Sequence, residues 1–199
     1  TRNRSSAASD VYKRQFMTSI IFSLGLLSSP PATANPKYAS IIVEESSGRV
    51  LYSRSADKQL FPASLTKIMT LYLLFEALQN RRITLETRMK VSKVAASRSP
   101  SKLYLKPGQT ITVENAILAL VTKSANDVAT VVSEHLGGNE RNFAKKMTRK
   151  AKAIGMKRTI FKNASGLPNQ AQLSTARDMA RLGICLLYTS DAADDRLRG

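Results

Sequence analysis

The chain has 199 residues, of which 43% are hydrophobic and 23% are charged. That length accommodates one domain or a small pair of domains, and the composition excludes wholesale disorder and fibrous proteins. A single Cys and a single His exclude a disulfide framework and the usual zinc ligand sets, so we expect no metal and no cofactor. The net charge of +17 favours a nucleic-acid partner at first sight, but only 6% of the residues are aromatic, which supplies few stacking platforms for single strands.

The two ends of the chain are related in a way that no protein requires. Residues 5–15 read SSAASDVYKRQ and residues 185–195 read CLLYTSDAADD, and opposite strands of one short DNA sequence can encode both. The pair resembles a transposon-end adapter used in making sequencing libraries. We therefore predict that residues 1–15 and 185–199, including Cys185, are non-native. The stretch between them keeps a net charge of +15, because only six basic and four acidic residues lie outside it.

The segment that follows the first 15 residues has the pattern of a signal peptide. Residues 16–27 read FMTSIIFSLGLL, an apolar run too short to span a bilayer, and the pair Pro30-Pro31 and the triplet Ala32-Thr33-Ala34 come next. An apolar run, a helix-breaking stretch and an A-x-A cleavage site are typical of secretion. The pattern predicts a signal peptide over 16–34, a mature domain over 35–184, and export to the periplasm or the outer face of the cytoplasmic membrane. Export argues against nucleic acid as a partner.

The mature stretch begins with two β-branched runs and continues with helical patterns. Tyr38–Glu45 and Arg49–Arg54 flank a turn that contains glycine, which predicts a β-hairpin. From Ala63 to about Gln79 apolar residues recur at helical spacing nearly all round, which predicts a buried central helix. Further helices are predicted at residues 91–97, 113–121, 125–135, 140–154 and 174–182. A hairpin combined with several helices places the chain in the α/β (α+β) class.

A serine and a lysine three residues apart stand at the start of the central helix. Ser64 and Lys67 lie on one helix face, so the ammonium group can reach the hydroxyl. A serine needs a base to act as a nucleophile at neutral pH, and a lysine can serve if burial lowers its pKa. The start of the helix also offers an N–H group and a positive dipole end to an oxyanion. The pair alone is a weak motif in a basic chain, so an N-capping serine with a solvated lysine stays an alternative.

A second motif, Ser124-Ala125-Asn126, lies between two predicted helices about sixty residues later. Ser124 can relay a proton between Lys67 and a leaving group, and Asn126 can hold a substrate amide. S-x-x-K paired with S-x-N is the signature of penicillin-recognising serine acyltransferases. The chain resembles the low-molecular-mass penicillin-binding proteins that are serine-type D-alanyl-D-alanine carboxypeptidases. The phrases that carry the resemblance lie at residues 38–52, 62–78, 121–138 and 161–182.

The resemblance covers residues 38–182 and implies a β-lactamase/transpeptidase-like fold. It implies Ser64 as the acyl-enzyme nucleophile, Lys67 as its general base, and Ser124 with Asn126 as second-motif partners. The implied substrate is a peptidoglycan stem peptide that ends in D-Ala-D-Ala, from which the terminal D-alanine is released. The implied inhibitors are β-lactams, which would acylate the same serine.

The third motif of that family, K-T-G on a strand that lines the cleft, does not occur after Asn126. Its strand would supply an oxyanion N–H, and losing one such donor can cost about 2.7–4 kcal/mol of transition-state stabilisation. We therefore expect an incomplete domain, the N-terminal hairpin plus the helical part without the C-terminal strands, that is inactive by itself. The alternatives are a β-lactamase or transpeptidase of the same fold, or a non-catalytic module that binds cell wall or nucleic acid through its charge.

Other polar features are interpreted as structural. We expect His135 at a helix end and Asp127 at a helix start, rather than in catalysis. Residues 163–165 form a glycosylation sequon, but we expect them to form the turn before Gly166. The basic residues between 145 and 158 fall at helical spacing. They form either a solvated face or a surface that attracts anionic envelope polymers or lipid head groups.

Overall fold

A computed structural model describes the backbone of residues 38–198 and the side chains as far as residue 189. The non-native segment predicted over 1–15 and the signal peptide predicted over 16–34 lie outside the described residues. The chain divides into two units at Tyr38, and the second unit, Ala39–Gly199, contains all the elements given below.

The described part of this unit contains four short strands and six α-helices. In chain order they are β1 (Ser40–Val43), β2 (Val50–Arg54), α1 (Thr66–Gln79), β3 (Arg88–Lys90), α2 (Lys93–Ala96), β4 (Thr110–Thr112), α3 (Val113–Thr122), α4 (Asn126–Gly137), α5 (Glu140–Ala153) and α6 (Ala176–Arg198). A 3-10 turn, Ala63–Leu65, leads into α1. This mixture confirms the predicted α/β (α+β) class.

The N-terminal hairpin is confirmed. β1 and β2 pair antiparallel, with Ile42 opposite Tyr52. Gly48 in the turn has φ +69, in the left-handed region that glycine adopts without a steric penalty. Among the described residues these two strands pair only with each other, and β2 is exposed along its whole length. Helix α6 packs against β1.

A second two-stranded sheet was not predicted. β3 and β4 pair antiparallel with Met89 opposite Ile111, and both of these side chains are buried. The helix predicted over 91–97 is observed only at α2, which is shorter than expected. The prediction was wrong at Val91 because this residue continues the extended segment, and its N–H bonds to a backbone carbonyl beside β4. Ser92 then caps α2 with its side-chain oxygen.

Helix α1 is the central buried helix that the sequence predicted. It packs against α3, α4, α5 and α6, and its residues Met69 and Leu74 are fully buried. Neighbouring elements contribute the fully buried Phe143 and Leu182 to the same core. Burying an aliphatic or aromatic side chain of this size contributes about 1.5–3 kcal/mol. The core therefore fixes α1 and the turn at its N-terminus, where Ser64 lies.

The last helix is longer than predicted. Thr175 Oγ1 accepts a hydrogen bond from Asp178 N–H at 3.1 Å, which caps the helix start. The helix continues to Arg198 instead of ending at Leu182, because the intervening sequence has no proline and only one glycine to interrupt it. The helix crosses the predicted junction after residue 184, and the non-native origin of residues 185–199 stays a prediction. Among the described residues, no helix combines the length and the hydropathy needed to cross a membrane.

Candidate active site

Ser64 lies in the 3-10 turn that leads into α1, and its side chain is exposed. The preceding residue, Ala63, has φ +47. A non-glycine residue in this left-handed region is strained and persists only where the surrounding structure holds it. Pro62 on one side and the buried helix α1 on the other provide that support. The backbone thus presents the Ser64 hydroxyl to solvent from a fixed position.

Lys67 lies one turn further along and is almost completely buried, with 3% of its surface exposed. Its Nζ donates a hydrogen bond to the backbone carbonyl of Ser165 at 2.6 Å. Burial lowers the pKa of Lys67 from 10.5 to about 8, because desolvation disfavours the ammonium form. At pH 7 about a tenth of such an amine is neutral and able to accept a proton. The hydrogen bonds of the described residues include none between Lys67 Nζ and Ser64 Oγ.

The turn at residues 163–168 closes on the start of α1. Asn163 Oδ1 accepts a hydrogen bond from Ser165 N–H at 3.2 Å, which forms an Asx turn, and another from Gly166 N–H at 2.7 Å. The carbonyl of Ala164 accepts from Thr70 Oγ1 at 2.7 Å, next to the bond from the lysine. The turn expected here is therefore present. It also presents two backbone carbonyls to α1, which the sequence did not reveal.

Gly166 makes the closest approach to the nucleophile's turn. Its φ is +88, and a Cβ atom built on it would lie 1.8 Å from the carbonyl oxygen of Ala63 and 3.0 Å from the nitrogen of Ser64. The position therefore requires glycine for its conformation and also for space. The sequence predicted a turn that contains this glycine, but nothing in the sequence indicated that the turn would contact the backbone of Ala63.

The second motif lies in the connection from α3 to α4. Ser124 has φ +53, and Asn126 is buried as the first residue of α4. Asn126 Nδ2 donates to the carbonyl of Ser99 at 2.9 Å, and its backbone N–H donates to the carbonyl of Ser101 at 2.7 Å. Among the described residues, no hydrogen bond engages Asn126 Oδ1. This oxygen can therefore accept a hydrogen bond from a substrate amide.

Asp127 holds the same loop, residues 99–105, from a second direction. Its fully buried carboxylate accepts hydrogen bonds from Leu103 N–H at 3.1 Å and from Leu105 N–H at 3.2 Å. It also accepts from Val128 N–H at 2.9 Å. A buried charge is costly unless it is hydrogen-bonded, and three N–H donors meet that need. Asp127 is the helix-start carboxylate that we expected, and it also fixes the loop that holds Asn126.

Both motifs lie at the N-terminal ends of helices that pack against each other, α1 and α4. An apolar cavity of about 240 Å³ adjoins the Ser64 turn, lined by residues 61–63 on one side and by residues 166–170 and Gln172 on the other. His135 lies in the last turn of α4, the helix-end position expected for it. Within residues 38–189, no cluster of His, Cys, Asp and Glu could hold a metal ion. The site thus combines an exposed hydroxyl, a desolvated amine and an amide oxygen.

The sequence of this chain is similar to a family profile and to named proteins. A family profile described as D-alanyl-D-alanine carboxypeptidase matches residues 28–192. D-alanyl-D-alanine carboxypeptidase DacF of Bacillus subtilis is 38% identical over 147 residues, which are 74% of this chain and 38% of the relative. D-alanyl-D-alanine carboxypeptidase DacC of Escherichia coli is 37% identical over 156 residues, which are 75% of this chain and 39% of the relative. The chain therefore spans about two fifths of the length of these curated relatives.

Solved structures confirm the predicted penicillin-binding-protein fold. D-alanyl-D-alanine carboxypeptidase DacD from Francisella tularensis matches with a TM-score of 0.75 and 32% identity, over 84% of this chain and 42% of that one. Penicillin-binding protein D2 from Listeria monocytogenes, in its ampicillin-bound form, matches with a TM-score of 0.70 and 31% identity, over 81% and 65% of the two chains. The sequence match over most of its length, together with this fold, shows that the chain belongs to the D-alanyl-D-alanine carboxypeptidase family, peptidase S11.

Proposed function

We propose that this chain forms the nucleophile-bearing part of a serine-type carboxypeptidase, which removes the terminal D-alanine from peptidoglycan stem peptides. The observation that carries the proposal is the buried Lys67, with a pKa lowered to about 8, one helical turn after the exposed Ser64. A partly neutral amine at this position supplies the base that a serine nucleophile needs. The carboxypeptidase names of the relatives favour this function over a β-lactamase or a non-catalytic module.

In the proposed reaction, Ser64 Oγ attacks the carbonyl carbon of the penultimate D-alanine while neutral Lys67 accepts the hydroxyl proton. Asn126 Oδ1 accepts a hydrogen bond from a substrate amide and so orients the peptide. When the tetrahedral intermediate collapses, the C–N bond breaks, and Ser124 relays the proton from Lys67 to the leaving amine, which leaves Lys67 neutral again. The terminal D-alanine departs and an ester remains on Ser64. Water then hydrolyses the ester and restores the hydroxyl.

The same nucleophile accounts for the proposed inhibition by β-lactams. The strained β-lactam amide presents a carbonyl to Ser64 in place of the peptide carbonyl, and opening of the ring leaves an ester on the serine. The similarity to a penicillin-binding protein solved in its ampicillin-bound form supports this part of the proposal.

Release of D-alanine tests the proposed activity. The full-length protein should release D-alanine from a synthetic peptide ending in D-Ala-D-Ala and none from the same peptide ending in L-Ala. Ser64→Ala should abolish release, whereas Ser46→Ala, which changes another exposed serine, should leave it unchanged. Release that persists in Ser64→Ala would contradict the proposal. We propose that the 199-residue chain alone is inactive, because it contains no K-T-G motif.

We also propose that the protein acts outside the cytoplasm, in the periplasm or at the outer face of the cytoplasmic membrane. The support is the pattern of residues 16–34, an apolar run followed by a helix break and an A-x-A triplet. Fusing residues 16–40 to a reporter enzyme that is active only after export tests this proposal. Activity is expected from the fusion and none from a variant with Ile20 and Ile21 replaced by arginine. An inactive parent fusion would contradict it.

The basic side of α5 supports a contact with anionic lipid head groups. A cavity of about 380 Å³ is lined by Arg82, Lys146, Arg149 and Lys150, with apolar side chains between them. Lys150 is paired with Glu76. Among the described residues, no hydrogen bond or ion pair engages the guanidinium group of either arginine, and planar guanidinium groups suit phosphate oxygens. We propose that this cavity receives a lipid phosphate.

Vesicle binding by a charge-matched pair of variants tests this contact. Arg82→Gln with Arg149→Gln should lose most binding to vesicles that contain phosphatidylglycerol. Lys145→Gln with Lys152→Gln, which removes the same charge from exposed positions outside the cavity lining, should retain most of it. Equal losses in the two variants would show that net charge alone attracts the protein.

A further inference from the structure

Glu140, the first residue of α5, holds the turn on which Lys67 depends. Lys67 Nζ donates to the carbonyl of Ser165 at 2.6 Å. The neighbouring Ala164 N–H donates to Glu140 Oε1 at 3.1 Å. The carboxylate therefore anchors the turn one residue away from the carbonyl that receives the lysine. A charge-assisted bond to a backbone N–H is stronger and more directional than a neutral one.

The other oxygen of the same carboxylate leads to the second motif. Glu140 Oε2 pairs with the guanidinium of Arg98. Arg98 Nε donates to Thr130 Oγ1 at 2.9 Å, and that hydroxyl donates to the backbone carbonyl of Asn126 at 3.2 Å. A path of hydrogen bonds, joined by the peptide bond between Ala164 and Ser165, thus connects Lys67 of the first motif with Asn126 of the second.

The pair lies where bulk water screens it only in part. The side chain of Glu140 is 17% exposed and that of Arg98 is 27% exposed, while Thr130 is fully buried. Arg98 also directly precedes the loop at residues 99–105, which accepts both hydrogen bonds donated by Asn126. Four segments of the chain therefore meet at one ion pair, namely the segment of Arg98, helix α4, helix α5 and the turn at residues 163–168. Limited exposure makes such a network more rigid than a surface pair.

We propose that Glu140 and Arg98 are positioning residues that fix the S-x-x-K and S-x-N motifs relative to each other. The inference rests on the proposed function, because its consequence is a rate of acylation at Ser64. A glutamine in place of Glu140 keeps one acceptor oxygen instead of two, so either Ala164 N–H or the Arg98 guanidinium loses its acceptor, and Arg98 loses its counter-ion. The turn at residues 163–168 and Asn126 are then free to shift independently. A misplacement of about 1 Å can cost about 10²-fold in rate.

A second ion pair provides the matched control. Glu76 pairs with Lys150, and their side chains are 25% and 27% exposed, close to the values for the proposed pair. Within the part of the chain that the structure describes, no hydrogen bond or ion pair of the Glu76 side chain reaches either motif. In the full-length protein, Glu140→Gln should lower the second-order rate constant of acylation by a fluorescent penicillin at least tenfold, on the order of the misplacement effect. Glu76→Gln should change it by less than about twofold, because its ion pair is shielded to a similar degree but bonds to neither motif.

A second variant keeps the test informative if Glu140→Gln unfolds. Arg98→Lys retains the charge, but one ammonium cannot reproduce the two-sided bonding of the guanidinium, so acylation should again be slower than in Glu76→Gln. Because both residues act through one path, the double variant should be no slower than the slower single variant. A purely structural role predicts that the rates follow the melting temperatures instead.

The possible results separate this inference from the proposed function. If the unsubstituted protein is not acylated, the proposed function fails. If it is acylated, and Glu140→Gln and Arg98→Lys react as fast as Glu76→Gln, the positioning role is wrong. Multiplicative losses in the double variant would also overturn it, since they would show that the two residues act independently.

Discussion

Replacing Gly166 with alanine is expected to slow acylation of Ser64 by about 10²-fold, in addition to destabilising the fold. The new Cβ would lie 1.8 Å from the carbonyl oxygen of Ala63, whereas Cβ contacts closer than 3.0 Å essentially never occur. The two backbone segments must therefore separate by about 1.2 Å, the difference between these values. Both atoms in conflict belong to short side chains or backbone, so no rotamer change can relieve the overlap.

Two costs in folding free energy add at this position, and a separate effect acts on the rate of acylation. An alanine at a left-handed φ costs about 1–2 kcal/mol of folding free energy. Overpacking adds about 1–3 kcal/mol. The separation of the segments acts directly on the residue before Ser64, and a displacement of about 1 Å in a reacting group can cost about 10²-fold in rate.

Gly108 supplies a control with the same backbone conformation. Its φ is also +88, but a Cβ atom there would meet nothing within 4 Å. Gly108→Ala therefore carries only the conformational cost. In the full-length protein, the acylation rate with a fluorescent penicillin and the free energy of unfolding in urea are measured for both variants. The acylation rates of Gly166→Ala and Gly108→Ala are expected to differ by about 10²-fold. Rates within about threefold of each other would show that the close approach of Gly166 does not position Ser64.

The remaining predictions concern Lys67 and Asp127. Acylation should rise with pH and level off above about 8, because the buried lysine must lose its proton to act as the base; a flat pH–rate profile across that value would contradict this role. Between pH 8 and 10.5 the unfolded chain binds more protons at Lys67 than the folded chain does. The free energy of unfolding of the unsubstituted protein should therefore rise with pH through that window, relative to that of Lys67→Met. Asp127→Asn should lower the free energy of unfolding by about 1–3 kcal/mol, since an amide cannot accept from all three N–H donors. Asp57→Asn, which breaks the half-exposed pair with Arg177, should cost less than about 1 kcal/mol, and equal losses in urea unfolding would contradict the distinction.

The long helices could be predicted from the sequence because each carries an apolar stripe that packs on the core. The observed bounds of α3, α4 and α5 differ from the predicted ones by at most two residues. The strands β3 and β4 could not be found in this way, because an alternation over three residues is too short to indicate a strand. They exist because Met89 and Ile111, far apart in sequence, pair and are buried together.

The candidate site was predictable in its chemical groups but not in its supports. The spacing of Ser64 and Lys67 and the apolar helix around them predicted a desolvated lysine, and the structure contains one. The acceptor of that lysine lies 98 residues further along the chain. The close approach of Gly166 and the ion pair of Glu140 likewise depend on how distant segments pack. No local pattern in the sequence encodes such contacts.

The most direct test of the account is the site of covalent modification by penicillin. The full-length protein is incubated with benzylpenicillin, and mass spectrometry measures the intact mass and maps the modified peptide. One adduct is expected, on Ser64, that is absent from Ser64→Ala and forms much more slowly in Lys67→Met. The lack of any adduct, or an adduct on another residue that survives Ser64→Ala, would contradict the assignment of Ser64 as the nucleophile.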